Sequence, residues 1–338
     1  MRDVAVTAGR ALVALWVAVT MTFALPRLAP GGPLDYLLGQ DIAIATPMQK
    51  ASLLAQFGLD RPVPEQYVRY LAGIATGDLG TSVRQGVPVT RVLARRLPLT
   101  LALAIPAIVL SVVAGTVLGV VAAVRRAGRV DAGLLGVLLG LESMPAFWLG
   151  MVLIAVFAAG LGWLPSFGVA SPGGVGEGGG GGVAGFDRAA AVDAMRHLVL
   201  PVATLTLVSI GPTFLIVRGA MLATLAEDHL AYAVARGLPR RWILLGHALR
   251  NALLPMWTHL ALVVGAAFGG AVVVETVFSY PGIGRQIYDA VLARDYPVLE
   301  GAFLVLATAV IGCNLVADLT YPLLDPRVRR PVRVRGLS

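Results

Sequence analysis

Nucleotide binding is the first chemistry for which the residues can be examined. A P-loop requires a G-K-[S/T] tripeptide, and the only lysine, Lys50, lies between Gln49 and Ala51. Residues 171–185, SPGGVGEGGGGGVAG, contain the G-x-G-x-x-G spacing. No predicted strand precedes them, however, and their composition is typical of a flexible linker. The chain therefore has no P-loop of its own.

Metal binding and hydrolytic catalysis find equally little support. A single cysteine, Cys313, excludes a disulfide or a cysteine metal site within the chain. The histidines are too dispersed to predict a metal cluster: His197, His229, His247 and His259. No serine–histidine–acid or paired-carboxylate arrangement stands out, and an intramembrane hydrolase would need ionisable residues that the apolar segments almost lack. The residues predict that the chain is not an enzyme.

The composition places the chain among integral membrane proteins. Of its 338 residues, 57% are hydrophobic and 14% are charged, whereas soluble domains average about 25% charged residues. The net charge of +8 comes from arginines in short segments between apolar runs. This pattern follows the positive-inside rule and does not point to nucleic-acid binding. Transport is therefore favoured over catalysis.

The apolar runs predict an all-α fold with six transmembrane helices. They are placed near residues 11–25, 97–124, 143–161, 198–217, 252–274 and 298–317. No convincing cleavage site follows the first run, so it is read as a retained helix. Four regions follow: the first helix in 1–29, an extracytoplasmic loop region in 30–96, a five-helix core in 97–325 and a basic tail in 326–338.

The arginines set the predicted orientation. Three basic residues lie in the turn 125–129, five in the loop 218–250 and five in the tail, against two in each shorter outside loop. The sequence thus predicts both termini in the cytoplasm. Short amphipathic helices are expected around Tyr67 and at 284–293 in the outside loops.

Glu142 stands in an apolar block, 132–164, that is too long for one straight span. It is either a functional acid within the membrane, or a residue that lies at the membrane interface or pairs with a loop arginine. The sequence leaves both readings open.

The loop 218–250 carries a pattern suited to docking. Ala231, Ala233 and Ala235 lead into Gly237, and a basic and aromatic run follows. A helix with a small-residue face that ends at a glycine can approach another protein surface closely. The alternative is a basic loop that only fixes topology.

Several motifs in order resemble the permease subunit of bacterial ABC importers of the dipeptide/oligopeptide/nickel family. They are GLDRPVPEQYVRYL, GDLGTS, SMPAFWLGM, AYAVARGLPRRWILLGHALRNALLP, GAVVVETVFSYPGIGR, RDYPVLEG and NLVADLTYPLLDPR. Within the oligopeptide-type pair of permeases, the long first outside loop resembles the B-type subunit. The glycine-rich insert departs from the family pattern.

The resemblance implies that a short helix in the loop 218–250 is the coupling helix, which docks in a groove of a separate ATPase subunit. Ala231 occupies the position where the general motif has glutamate, and Gly237 matches its glycine. Pro255 follows Gly237 by 18 residues, a spacing typical of this subfamily. The implied coupling residues are Ala231, Ala233, Ala235, Arg236, Gly237, Leu238, Pro239 and Arg240.

The resemblance also implies partners and a location. The chain would form half of a peptide pathway in the bacterial inner membrane, with a homologous second permease, two ATPase subunits and an extracytoplasmic substrate-binding protein. It would hold no cofactor, since ATP and Mg²⁺ would bind the ATPase subunits.

Other substrates and other classes remain open from sequence. Nickel chelates, glutathione, haem and sugars are compatible, because the binding protein supplies most selectivity in this family. An ion-coupled secondary carrier would need acids at mid-membrane depth and usually an internal repeat, and the chain offers only Glu142 and Glu300. A membrane anchor or scaffold is disfavoured by the proline-broken spans.

Overall fold

Helices dominate the part of the chain that the computed structural model describes, residues 2–28, 46–48, 51–52, 60–170 and 188–324. The only β-structure found there is an isolated bridge between Thr81 and Pro88. The predicted linker 171–185 and tail 326–338 lie outside the described residues. The helices are α1 (Arg2–Leu28), α2 (Val63–Thr76), α3 (Val89–Val124), α4 (Arg129–Glu142), α5 (Ala146–Gly160), α6 (Arg188–Leu225), α7 (Asp228–Ala235), α8 (Arg240–Val277), α9 (Ile283–Ala293) and α10 (Tyr296–Leu324).

Five segments are long and apolar enough to cross a membrane. They are Val6–Ala24, Val89–Val124, Arg188–Leu225, Arg240–Val277 and Tyr296–Tyr321. Helices α4 and α5 pass the same test as a pair, although they are bent by 103° at the break between them. The described chain is thus an all-α membrane protein with five candidate spans, or six if the bent pair is one span.

The central contact of the bundle joins α3 to α6 along most of their length. Gly115 and Gly119 of α3 make this approach possible. A Cβ at Gly115 would lie 2.9 Å from the Thr213 side chain, and one at Gly119 would lie 3.0 Å from Val217 Cβ. Small residues at a membrane helix interface let the backbones approach, which strengthens van der Waals packing.

Several helices extend beyond the apolar runs that predict them, among them α8, which begins at Arg240 rather than near residue 252. Helix α3 begins at Val89 rather than near Leu97, so that its first turns are basic. Helix α6 runs through Pro201 and Pro212 and ends at Leu225, which places Arg218 in a helix rather than in a loop. Hydropathy marks the membrane-buried part of a helix and not its polar ends.

The third apolar block differs from the single span predicted at 143–161. Residues 129–142 form α4, the chain breaks at Ser143–Met144–Pro145, and α5 begins at Ala146. Pro145 explains the break, because a residue that precedes proline is disfavoured in the helical conformation. The block is therefore two helices at an angle, with Glu142 at the end of the first.

The ends of the helices form two faces. The basic end comprises the turn 125–128, α7, and the adjoining ends of α3, α4, α6 and α8. The opposite end comprises α2, α9, and the adjoining ends of α1, α3, α8 and α10. The predicted amphipathic helices are confirmed there as α2 and α9, which begins one residue before the predicted 284.

Candidate functional site

Helix α7 is fixed to the basic end by one buried side. Leu230 is 3% exposed and Ala233 is 8% exposed, and both pack in a cluster with Met221 of α6 and Ile243 of α8. Ala123 of α3 completes this contact. Helix α7 is therefore packed against three of the candidate membrane-spanning helices, α3, α6 and α8.

The other side of α7 and the start of α8 present large apolar side chains to solvent. Tyr232, Val234 and Trp242 are each more than 60% exposed, and Leu238 is 41% exposed. We call these four residues, with the arginines beside them, the docking surface. Apolar side chains exposed together in this way mark an interaction surface.

A left-handed glycine ends α7. Gly237 has φ of 77°, and its N–H donates to the Val234 carbonyl at 2.9 Å while the Leu238 N–H donates to the Ala233 carbonyl at 3.3 Å. This pair of hydrogen bonds is a Schellman motif, in which glycine is favoured because it has no Cβ to strain. A Cβ at Gly237 would meet nothing within 4 Å of its own chain.

The predicted coupling residues fall into buried and exposed groups. Ala231 lies within α7, Ala233 is buried, and Pro239 precedes the first residue of α8, Arg240. Ala235, Arg236, Gly237, Leu238, Pro239 and Arg240 are exposed. Leu238 and Arg240 also line a cavity of about 330 Å³ between α7 and the ends of α3, α6 and α8. The six exposed residues among those predicted for coupling are thus consecutive, from the last residue of α7 to the first residue of α8, and Ala233 lies beneath them.

An ion pair that the sequence did not predict braces the basic end. Arg218 of α6 donates to both carboxylate oxygens of Asp131 of α4, Nε to Oδ1 at 2.7 Å and an Nη to Oδ2 at 2.8 Å. The Ala127 N–H donates to Oδ2 at 3.1 Å, and Asp131 is 3% exposed. A bidentate pair fixes orientation as well as distance. The two residues are 87 positions apart, so no local spacing signalled their contact.

The opposite end is organised by a buried carboxylate. Glu275 of α8 is fully buried and accepts hydrogen bonds from Thr100 Oγ1 at 2.7 Å and from the Arg285 N–H at 3.0 Å. Thr100 Oγ1 accepts in turn from the Ile283 N–H at 2.8 Å. Only glycine fits at position 282, because any residue with a Cβ would overlap the Glu275 carboxylate. The E-T-V-F-S-Y-P-G-I-G motif therefore caps the first turn of α9, whose free N–H groups attract negative charge.

Tyr280 closes the turn between α8 and α9. Its side chain is 2% exposed, and burial raises its pKa to about 12. The hydroxyl consequently stays protonated and donates to the Leu99 carbonyl of α3 at 3.2 Å.

Asp295 joins two further motifs at the opposite end. This residue of RDYPVLEG is 2% exposed and accepts from Ser82 Oγ of GDLGTS at 2.5 Å. It also accepts from the N–H groups of Val83 and Arg84, at 3.1 and 3.2 Å. Sequence reasoning quoted both motifs without a contact between them, and their pairing emerges only in the fold.

Among the described residues, Glu142 does not pair with a loop arginine, which was one of the expectations from sequence. It is exposed at the end of α4, and no ion pair or hydrogen bond of its carboxylate is found in that part of the chain. Arg218, an arginine of the predicted loop 218–250, pairs with Asp131 instead.

Comparison with known proteins identifies this arrangement. The family of binding-protein-dependent transport system inner membrane components matches residues 115–330, and the family of their N-terminal regions matches residues 4–104. The di/tripeptide transport system permease protein DppB of Pseudomonas aeruginosa (strain UCBPP-PA14) is 38% identical over 334 residues, covering 94% of this chain and 96% of the relative. The dipeptide transport system permease protein DppB of Escherichia coli (strain K12) is 36% identical over 337 residues, with the same coverage.

A solved structure supports the fold. A chain of the MetNI methionine ABC transporter, determined in inward-facing conformations, matches with a TM-score of 0.55. The match covers 69% of this chain and 96% of that one at 17% identity. With a family match over residues 115–330 and relatives aligned along nearly the whole chain, the protein belongs to the family of inner membrane components of binding-protein-dependent transport systems.

Proposed function

We propose that the chain is one of two permease subunits of a peptide-importing ABC transporter. The observation that carries the proposal is the docking surface, an exposed apolar patch anchored by buried contacts to the ends of α3, α6 and α8. A bundle without a P-loop needs an external source of energy, and such a surface is where a separate ATPase could deliver it. ATP and Mg²⁺ would then bind the ATPase subunits.

The coupling residues have distinct tasks in this proposal. Tyr232, Val234 and Leu238 contact the ATPase groove, and Gly237 supplies the turn between α7 and α8. Leu230 and Ala233 transmit the displacement to the membrane helices through their buried contacts. The Asp131–Arg218 pair carries it on to α4, because a bidentate bridge resists sliding of α4 along α6.

Six membrane spans with both termini in the cytoplasm are the proposed topology. The bent pair α4–α5 counts as one span, and residues 30–96 form an extracytoplasmic region. The basic end then faces the cytoplasm, in keeping with the positive-inside rule. The protein is placed in the bacterial inner membrane.

Peptides are the proposed substrates because the relatives named above are di/tripeptide and dipeptide permeases. An extracytoplasmic binding protein delivers the peptide to the opposite end, and a homologous permease completes the pathway. The closed ATPase dimer and the loaded binding protein each bind one state of the pathway more tightly than the other, which is how they shift the equilibrium between states. Nickel chelates, glutathione, haem and sugars are the competing substrates.

The proposal is tested with the complete transporter in proteoliposomes. The chain is co-expressed with the second permease, the ATPase subunits and the binding protein encoded beside it, and uptake of a radiolabelled dipeptide is measured. We expect uptake that needs both ATP and the binding protein. Uptake of another solute class in preference to peptides would refute the substrate. Uptake by the chain alone, driven by an ion gradient, would indicate a secondary carrier.

A further inference from the structure

Glu142 lies at a break between two helices inside the apolar part of the bundle. Helix α4 starts beside the basic turn and runs for 14 residues before it ends at Glu142, a rise of about 21 Å. The side chain contacts α6 at Gly211, where a Cβ would lie 2.6 Å from Oε2. Gly211 lies seven residues before Arg218, the first charged residue toward the basic end of α6, which corresponds to a rise of about 10 Å. The contact with α6 thus places the carboxylate about 10 Å inside the ~30 Å apolar layer.

Lipid is excluded as the environment of this carboxylate. Glu142 is exposed in the single chain, and it has no ion pair in the part of the chain that the structure describes. A charged side chain at this depth faces a bundle interior or a water-filled cavity, because exposure to hydrocarbon is costly. The free side of Glu142 therefore faces either the pathway or the second permease.

The groups around the Glu142 carboxylate favour a cation that can donate hydrogen bonds. The last carbonyls of α4 carry the negative end of its dipole next to Glu142. Pro212 follows Gly211 in α6 and has no N–H to offer the carbonyl of Val208, one turn earlier. Carboxylate and carbonyl oxygens are all acceptors. Broken helices in transporters place cation sites at such half-helix C-terminal ends.

We infer that Glu142 is a substrate-binding residue of the pathway, where its carboxylate receives the α-ammonium group of the transported peptide. The inference rests on the proposed peptide import. The ammonium group suits the site because it is common to peptides of every sequence and offers three hydrogens to an acceptor-only site. A permease that contacts this group could pass peptides whose side chains differ.

Glu142→Gln tests the inference because it removes the charge and keeps the shape. In proteoliposomes with the complete transporter, peptide transported per ATP hydrolysed should fall about tenfold, the loss of one charge-assisted hydrogen bond. ATP hydrolysis stimulated by the loaded binding protein and co-purification of the second permease should stay at wild-type levels. Glu142→Asp should retain most transport, since it keeps the carboxylate. Asp318→Asn, the same acid-to-amide change at an exposed carboxylate of α10, is the control and should leave peptide transport unchanged.

The outcomes separate the inference from the proposal beneath it. If the wild type transports peptide and the Glu142→Gln variant transports it equally well, the inference is overturned and the proposed function stands. Loss of the second permease from purified Glu142→Gln would also overturn it, because the carboxylate would then pair with that subunit rather than with substrate. A wild type that transports no peptide would overturn the proposed function and this inference with it.

Discussion

Gly237 joins local conformation to function at the scale of a single residue. Its φ of 77° ends α7, and the space around its α-carbon is open within the chain. The glycine is therefore needed for the turn itself, and the open space leaves room for another protein to approach. Glycine allows both the left-handed turn and the close approach of a partner because it has no Cβ.

A pair of substitutions at Gly237 separates these two properties. Gly237→Val should strain the left-handed turn by about 1–2 kcal/mol and weaken retention of the ATPase subunits about five- to thirtyfold. Gly237→Asn should have a small effect, because asparagine tolerates this conformation. Co-purification of the ATPase subunits with each variant is the measurement. If Gly237→Asn loses them as completely as Gly237→Val, close approach of the partner and not the turn is the constraint.

The Asp131–Arg218 pair should make a measurable contribution to stability. Arg218→Met leaves the Asp131 carboxylate without its two guanidinium hydrogen bonds and should lower the unfolding temperature in detergent. Adding Asp131→Asn to Arg218→Met should recover much of the loss, since no charge is then buried. Arg250→Met, at an exposed arginine of the same end, is the control. Equal melting of Arg218→Met and Arg250→Met would mean that the pair does not brace α4 against α6.

The sequence predicted the exposed turn at the basic end, but it did not predict the ion pair between Asp131 and Arg218 that joins α4 to α6 there. The alanine–glycine spacing predicted the turn at Gly237, because glycine position is a local signal. Asp131 and Arg218 are charges on separate helices, and their contact depends on how α4 packs against α6. The same reason applies to Glu142, because only the packing of the described helices shows that none of them brings an ion-pair partner to its carboxylate.

At the scale of elements, α9 depends on groups from two other helices. Glu275 and Thr100 satisfy its first N–H groups inside the bundle, where water cannot. Helix α9 and the ends of α3 and α8 are accordingly one rigid unit. A binding protein that docks at the opposite end would meet a preformed surface.

Thr100→Val removes this link while it conserves shape. The variant loses the hydroxyl that donates to Glu275 and accepts from the Ile283 N–H, and should destabilise the permease by about 1–3 kcal/mol. Binding-protein stimulation of ATP hydrolysis should fall in parallel as α9 loosens. Thr258→Val, at an exposed threonine of α8, should leave both quantities unchanged. Normal melting and normal stimulation in Thr100→Val would show that α9 is held by apolar contacts alone.

Hydropathy located most of the spans but misjudged their ends and the third apolar block. Arginine-rich turns of α3 and the polar ends of α6 are helical because backbone hydrogen bonding continues beyond the apolar layer. In the third block, Pro145 bends the path by breaking helical geometry, whereas the apolar character continues on both sides. A hydropathy profile does not report a change in the direction of the helix axis, so it could not reveal this bend.

For the whole molecule, the quoted motifs are far apart in sequence yet meet at two faces. GDLGTS, the segment from Glu275 to Gly284, and RDYP assemble the opposite end, while the alanine–glycine motif forms the docking surface at the basic end. The apolar bundle lies between these two faces and, in the proposed function, forms half of the pathway. The order of the motifs along the sequence was enough to indicate the family. Only the fold shows that these motifs lie on two separate faces of the molecule.

The orientation of these faces is the prediction on which coupling depends most. In a Cys313→Ser background, which removes the only native cysteine, single cysteines are placed at Gln85 of the opposite end and at Arg126 of the basic end, both exposed. A membrane-impermeant maleimide should label Gln85→Cys in intact spheroplasts and Arg126→Cys only after lysis, because the arginine-rich turns should face the cytoplasm. The unlabelled Cys313→Ser parent is the control. Labelling of Arg126→Cys in intact spheroplasts would place the docking surface outside the cell, where no ATP-driven subunit could reach it, and the coupling proposal would fail with the topology.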